Sequence, residues 1–392
     1  MNRRTLLISS AAALVAGAAC SQAEATSFAA GDADWTPFDF FRETRIFMQG
    51  HVNGHATEIL LDSGAGMTCL DKAFADAIGI KADANIPVQG AGGTVQGGYA
   101  RGIDISIGGF VLKNSNALIL DFGPVAAKMG HAMPVVLGRS VFDAAVVDID
   151  FPNQRIAFRD PEAFKAPAGA VALPLAQTAT GVRDVMVSLE GKAPVASTFD
   201  LGNGSALLVS QPYAAQEKLL EGRRSSTTLS GGVGGLSVHD VAMVKRLSLG
   251  GVDLKDVPAV INRDPRELPS RGLNVGISVW KRFRLMVDYR RATLWLTPDA
   301  RAVATPFRKD RTGLGAQPNA DHLLVAHVAP GGPGEAAGFK VGDRIVAVDA
   351  APVTPEFIRG PGGFWGSGPA GATVKLTLAD GTVRALTLAD YY

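Results

Sequence analysis

The chain has 392 residues, with 38 Lys and Arg against 37 Asp and Glu, which leaves a formal net charge of +1. This balance gives no long-range field towards nucleic acid or an acidic membrane, so we expect no nucleic-acid partner. The length allows more than one domain, and 46 Gly and 22 Pro among short runs of Val, Ile and Leu favour strands joined by tight turns. We therefore predict a mostly β protein.

The first 25 residues have the layout of a secretory signal. Arg3 and Arg4 precede an apolar stretch that ends near Ala19, and this stretch is too short for a permanent membrane anchor. The arginine pair leaves both the general and the twin-arginine export routes open. We predict a signal peptide at 1–25 and a protein exported to the periplasm or cell envelope. Processing before Cys20 would instead leave a lipidated cysteine, and only then do we expect membrane attachment.

Cysteine and histidine usage argues against a disulfide or a metal site. Once Cys20 is removed or lipidated, Cys69 remains as a single cysteine in an apolar context, and we interpret it as a small core residue. The six His show no metal-ligand spacing, and neither Gly-rich run is followed by the Lys-Ser/Thr pair of a phosphate-binding loop. We expect no metal and no cofactor.

An internal repeat organises the middle of the chain. Residues 45–160 and 182–298 share one order of features: two short strands, an acidic motif with Gly, a short helical segment, a Gly-rich stretch and an apolar strand ending at Gly. Segments rich in Pro at 161–181 and 299–312 are typical of connectors. We predict three units after the signal peptide: a first lobe at 36–165, a second lobe at 166–300 and a further domain at 308–392.

Each half of the repeat has one acidic motif where an apolar strand ends. The two motifs are Asp62-Ser63-Gly64 and Asp200-Leu201-Gly202. The apolar strand that follows ends at Gly138 in one half and Gly276 in the other, at the same interval from each motif. Because pseudo-twofold symmetry would bring equivalent residues together, we expect Asp62 and Asp200 to meet where the lobes join.

Residues about 45–298 resemble the retropepsin-like and pepsin-like aspartic proteases. The matching segments are Leu60-Leu61-Asp62-Ser63-Gly64-Ala65, Val136-Leu137-Gly138, Asp200 to Gly202, and Asn274 to Gly276. The resemblance implies a bilobal pepsin-like acid-protease β-barrel fold, a polypeptide substrate and Asp62 and Asp200 as the catalytic pair. The supporting residues of the two catalytic loops would be Ser63, Gly64, Gly202 and Asn203.

Such a pair of carboxylates suits acid–base chemistry, as the aspartic proteases themselves illustrate. Two carboxylates in one site cannot both ionise cheaply, so one holds a proton while the other is charged. The charged group takes a proton from a water molecule as that water attacks the peptide carbonyl, and the protonated group donates to the carbonyl oxygen. No covalent acyl-enzyme is required.

The family also has a Gly-rich hairpin that forms a flap over the substrate. By position, the flap candidate consists of Gly90, Ala91, Gly92 and Gly93. An ordinary surface hairpin, with Gly for turn geometry, is the alternative interpretation.

Leu201 departs from the family pattern, which has Thr or Ser at this position. Without a hydroxyl the second loop cannot make its share of the bonds that brace the two loops. Asp200 is therefore either a working partner with altered bracing or part of a relic lobe, in which case a homodimer could pair two copies of Asp62. A non-catalytic peptide-binding scaffold is the corresponding alternative function.

From about Gly313 the chain resembles a PDZ domain. The matching motif is Ala337-Gly338-Phe339-Lys340-Val341-Gly342-Asp343-Arg344-Ile345. The resemblance implies recruitment or regulation through an extended peptide C-terminus, with Gly313, Leu314 and Gly315 as the loop that binds its carboxylate. Alternatively the module only packs on the two lobes, its groove closed by the Gly- and Pro-rich insertion Arg359 to Gly371.

Overall fold

A computed structural model describes residues 25–28, 35–90, 93–233, 235–263 and 272–392. Most of the predicted signal peptide, including Cys20, lies outside the described residues, and so do Ala91 and Gly92 of the flap candidate. Within the described ranges, no helix has both the length and the apolar character needed to cross a membrane.

The first lobe consists mainly of short antiparallel strands. Its elements are β1 (Ala25–Ser27), β2 (Thr36–Phe41), β3 (Arg45–Val52), β4 (His55–Leu61), β5 (Thr68–Asp71), α1 (Lys72–Ala77), β6 (Ala84–Gly90), β7 (Gly93–Ile107), β8 (Phe110–Leu120), α2 (Gly123–Met129), β9 (Val135–Leu137), α3 (Arg139–Ala144), β10 (Val146–Asp150) and β11 (Arg155–Arg159). Strand β4 ends in three buried apolar residues, Ile59 to Leu61, because it lies inside the sheet between β3 and β9.

The second lobe repeats this series. Its elements are β12 (Val171–Pro174), β13 (Ala176–Gln177), β14 (Arg183–Leu189), β15 (Val195–Phe199), β16 (Leu207–Val209), α4 (Gln211–Gln216), β17 (Ser225–Gly232), β18 (Gly235–Leu249), β19 (Val252–Ile261), β20 (Leu273–Val275), α5 (Ile277–Trp280), β21 (Phe283–Asp288), β22 (Thr293–Pro298) and α6 (Ala300–Ala304). Tertiary packing stabilises these short helices, which are too short to be stable alone.

The sheet order shows that the two lobes share one topology. In the first lobe the strands run β3-β4-β9-β5-β8-β7-β6, and in the second they run β14-β15-β20-β16-β19-β18-β17. An additional pairing of β3 with β7, matched by β14 with β18, brings distant parts of each sheet together in a closed arrangement. The internal repeat in the sequence is therefore a repeat of structure.

A sheet shared by both lobes joins them. Strand β10 of the first lobe pairs antiparallel with β21 of the second, and β11 and β22 flank this pair. Asp148 on β10 is 2 % exposed and accepts hydrogen bonds from Arg284 of the second lobe and Arg159 of the first. The buried carboxylate of Asp148 thus binds one arginine from each lobe at the junction between them.

Buried aromatic residues support the second acidic loop from below. The rings of Phe199 and Trp280 meet edge to face with centroids 4.8 Å apart, and Nε1 of Trp280 donates to O of Val275 at 2.7 Å. Both rings belong to an apolar core that continues through the two lobes. The loop after Phe199 therefore rests on rigid packing.

A separate small sheet forms the C-terminal module. Its elements are β23 (Leu314–Pro318), β24 (Leu323–Val328), α7 (Pro333–Ala336), β25 (Arg344–Val348), β26 (Ala351–Pro352), α8 (Pro355–Arg359), a 3₁₀ helix at Pro361–Ser367, β27 (Thr373–Leu378) and β28 (Val383–Thr387). The sheet order is β23-β24-β25-β27-β28, and it has its own apolar core, including Val325, Ile345 and Leu376. The prediction of a mostly β chain is confirmed.

Candidate active site

The two acidic loops start from equivalent strand ends. Strand β4 pairs parallel with β9, and β15 pairs parallel with β20. The backbone N of Asp62 then donates to O of Leu137 at 3.0 Å, and N of Asp200 donates to O of Val275 at 3.1 Å. Each aspartate is therefore held at the end of a buried strand by the strand beside it.

Each carboxylate packs against the glycine of the opposite loop. A Cβ added to Gly64 would lie 2.5 Å from Cγ of Asp200, and a Cβ added to Gly202 would overlap the carboxylate of Asp62. Only glycine allows this approach, because any side chain would occupy the space of the opposite carboxylate. The structure thus brings the two predicted residues together within one chain.

Backbone amides hold both carboxylates, and Asp200 has more donors than Asp62. Oδ1 of Asp62 accepts from N of Gly64 at 2.8 Å. Oδ1 of Asp200 accepts from N of Gly202 at 2.8 Å and from N of Asn203 at 2.9 Å. Each loop therefore turns backbone N–H groups towards its own carboxylate.

An asparagine that belongs to a family-matching segment, but had no predicted role, completes the second loop. Nδ2 of Asn274 donates to Oδ2 of Asp200 at 2.7 Å, and Oδ1 of Asn274 accepts from Nδ2 of Asn203 at 2.8 Å. Asn274 occupies the position of the apolar Val136 in the first half. In the sequence, a polar residue within an otherwise apolar strand is the only feature that indicates a role for Asn274.

One hydroxyl still connects the two acidic loops, although Leu201 cannot supply a second. Oγ of Ser63 donates to O of Phe199 at 3.0 Å and accepts from N of Leu201 at 2.9 Å. Leu201 itself is fully buried in the core of the two lobes. One hydroxyl therefore bridges the loops, while Asn203 braces the second loop within its own lobe.

Burial and the neighbouring carboxylate keep a proton at the pair. Burial, together with the charge of Asp200, raises the pKa of Asp62 to about 7. The hydrogen bond from N of Gly64 and the positive charge of Arg45 act in the opposite direction. A pair that retains one proton up to neutral pH can serve as donor and acceptor in the same step.

Hairpins from both lobes meet at their tips. Gly90 and Gly93 close the β6–β7 hairpin in register, and a Cβ added to Gly90 would lie 2.6 Å from O of Val233, at the turn after β17. Val233 packs against the same buried apolar cluster as Ala65, which lies three residues after Asp62. Only the first of these two hairpins is the flap candidate predicted from sequence.

Comparison with known families adds two matches. Residues 48–141 match the family described as aspartyl protease, and residues 324–357 match the family described as PDZ domain. The chain contains an aspartyl protease domain and a PDZ domain. The expected bilobal acid-protease fold with a C-terminal PDZ domain is confirmed. The aspartyl protease match includes Asp62, whereas Asp200 lies outside both matched ranges.

No curated protein matches the chain. The solved structures that resemble it include basic 7S globulin from soybean, with a TM-score of 0.41 and 10% sequence identity, covering 67% of this chain and 94% of that chain.

In the PDZ domain, internal acceptors already occupy part of the predicted carboxylate loop. N of Gly313 donates to Oδ2 of Asp310 at 2.9 Å, and N of Leu314 donates to Oγ1 of Thr312 at 2.9 Å. Gly315 lies against the second lobe, where an added Cβ would be 3.2 Å from Cβ of Leu229. Binding of a peptide carboxylate at Gly313, Leu314 and Gly315 stays a prediction, and it requires these groups to become available.

The C-terminal module packs on both lobes. On the second lobe, Oγ1 of Thr227 lies 2.9 Å from Nε2 of His327. On the first, Nη2 of Arg359 lies 2.9 Å from Nδ1 of His131, which in turn contacts Glu58 at 2.5 Å. These contacts correspond to the alternative in which the module packs on the lobes.

Ser63→Ala is expected to weaken the joint between the two acidic loops. The change removes two hydrogen bonds and leaves the buried N of Leu201 without a partner, so we expect a loss of about 1–3 kcal/mol in the free energy of unfolding. Urea unfolding measures this loss. Ser63→Thr, which keeps the hydroxyl, is the matched control and should stay near wild type; equal losses in both variants would contradict the bridging role.

Proposed function

We propose that the chain is an aspartic endopeptidase that hydrolyses polypeptides with an activated water molecule. The observation that carries this proposal is the packing of Asp62 and Asp200 against the opposite glycines in one buried site. In this proposal Asp62, whose pKa is raised to about 7, holds the proton before the reaction, and Asp200 is its charged partner. The shared proton belongs to the pair, so these roles describe its favoured arrangement.

The proposed step is the addition of water to the peptide carbonyl. Asp200 removes a proton from the water as its oxygen attacks the carbonyl carbon, and Asp62 donates a proton to the carbonyl oxygen. The product is a tetrahedral diol. Its collapse breaks the C–N bond, with a proton delivered to the leaving nitrogen, and releases a new carboxylate and a new amine. The β6–β7 and β17–β18 hairpins would lie over the bound chain.

We further propose that the PDZ domain recruits or regulates polypeptides, and that the protein acts after export to the periplasm or cell envelope. The PDZ family match and the contacts of this domain with both lobes support the first proposal. The charged-then-apolar N-terminal sequence supports the second.

A cleavage assay separates the peptidase from a peptide-binding scaffold. The purified protein is incubated with an unfolded protein in H₂¹⁸O from acidic to weakly alkaline pH, and the products are analysed by mass spectrometry. We expect cuts at internal peptide bonds, with solvent oxygen in each new carboxylate. Binding of peptides without cleavage at any pH would favour the scaffold, which keeps the cleft but does not hydrolyse.

A further inference from the structure

An arginine that the family motifs did not identify lies beside the catalytic pair. Arg45 begins β3, and its guanidinium packs against Gly204 of the second catalytic loop so closely that a Cβ there would overlap it. Its positive charge acts on both Asp62 and Asp200. The residue has intermediate exposure, and burial of its guanidinium lowers the pKa of Arg45.

Among the residues that the structure describes, no carboxylate lies at salt-bridge distance from Arg45, whereas a partly buried arginine normally has such a partner. The hydrogen bond of Arg45 is from Nη1 to its neighbour's carbonyl, O of Thr44, at 2.7 Å. A charged group that loses water is stable only with compensating partners, so the guanidinium remains able to accept a carboxylate.

A second arginine adds to the positive charge. Arg42 donates through Nη2 to O of Gly363 in the PDZ domain at 3.1 Å, and burial together with the charge of Arg45 lowers the pKa of Arg42. The intervening Glu43 does not neutralise the two arginines, because it binds Lys281 at 2.8 Å and Arg308 at 3.3 Å. The turn that carries Arg42, Glu43 and Arg45 therefore has an excess of positive charge.

We propose that Arg45, with Arg42 beside it, forms a subsite for an acidic side chain, Asp or Glu, of the polypeptide substrate. Because Arg45 touches the loop that carries Asp200, the acidic residue would lie within a few positions of the scissile bond. The planar guanidinium offers two parallel N–H donors, which match a carboxylate. This inference rests on the proposed peptidase function and names the substrate class of the same site.

Matched peptides test the subsite. In one peptide that the protein cleaves, each position near the scissile bond is set in turn to Glu, Gln or Lys, and kcat/KM is measured. At one position we expect Glu to exceed Gln by about 10-fold or more, the size of a charge-assisted hydrogen bond. Arg45→Gln is expected to remove this ratio while Gln peptides are still cleaved, and Arg45→Glu is expected to favour Lys.

Two further variants control for folding and for general charge effects. Arg45→Lys keeps the charge without the planar pair of donors and should retain a smaller preference for Glu. Arg101→Gln removes an exposed arginine that pairs with Asp83 and should leave the ratio unchanged. Equal cleavage of Glu and Gln peptides at every position, or a preference that survives Arg45→Gln, would overturn the subsite while leaving the peptidase proposal intact.

The subsite stays testable if no peptide is cleaved. The same Glu and Gln peptides are then titrated against wild type and Arg45→Gln by fluorescence anisotropy. An affinity for Glu that exceeds that for Gln by about 10-fold and depends on Arg45 supports the acidic subsite in a non-hydrolysing cleft. Equal affinities would overturn it. Loss of cleavage alone counts against the peptidase function and not against the subsite.

Discussion

Asp62→Asn is expected to lower kcat/KM for peptide hydrolysis by about 10³-fold or more, and Asp200→Asn is expected to do the same. The amide of Asn can neither remove a proton from water nor donate one as a carboxylic acid does, and general acid–base steps contribute effects of this size. Because the two groups act on one water and one carbonyl, we expect the double variant to be about as slow as either single variant.

Kinetics with a single peptide measure these losses, with Asp83→Asn as the matched control. Asp83 is an exposed carboxylate that pairs with Arg101, so its replacement should change kcat/KM little. Survival of cleavage in Asp62→Asn would contradict the whole dyad. Survival in Asp200→Asn alone would favour the relic-lobe interpretation, in which two chains each supply Asp62, and activity would then depend steeply on protein concentration.

Asp62→Asn is also expected to stabilise the protein above about pH 7. The pKa of Asp62 is raised from 3.8 to about 7 by burial and by Asp200, so between these values the folded state binds a proton that the unfolded state releases. Stability that is present below about pH 4 is therefore lost as the pH rises through 7, by about 1.4 kcal/mol for each pKa unit. Replacing the carboxyl removes this loss, so above about pH 7 the free energy of unfolding of Asp62→Asn should exceed that of wild type by about 1–4 kcal/mol.

Urea unfolding at acidic and at weakly alkaline pH measures this effect. We expect Asp62→Asn to resemble wild type near pH 4 and to exceed it near pH 8, whereas Asp83→Asn should show no such difference. The same proton is required for catalysis, so kcat/KM of wild type is expected to fall as the pH rises above about 7. Equal stabilisation at both pH values would show that burial of the charged form does not explain the effect.

The repeat and the two acidic motifs could be predicted from sequence because local chain features carry them. The order of strands, acidic loop, helix and apolar-apolar-Gly strand recurs in the two halves, and the matching sheet orders follow it. Asp62 and Asp200 were identifiable because each ends a buried apolar strand. Their proximity followed from symmetry, since equivalent residues of two similar lobes meet near the axis between them.

Several features depended on contacts between segments far apart in the chain. The support of Asp200 by Asn274 spans 74 positions, and the meeting of Gly90 with Val233 joins hairpins from different lobes. The docking of the PDZ domain on both lobes is equally non-local. No periodicity or motif reports such pairs, because each depends on the relative placement of whole lobes.

Sequence alone therefore determined the mostly β character, the two-lobed organisation, the PDZ module and the two aspartates, since these follow from hydrophobic pattern, turn residues and repetition along the chain. Only the tertiary structure decided how the aspartates are held: Asp200 by an asparagine pair, and the loops by one hydroxyl from Ser63 in place of two. It also placed Arg45 beside the site without a carboxylate partner in the described chain. Hydrogen bonds and charge interactions depend on the distance between atoms in space, which separation along the sequence does not give.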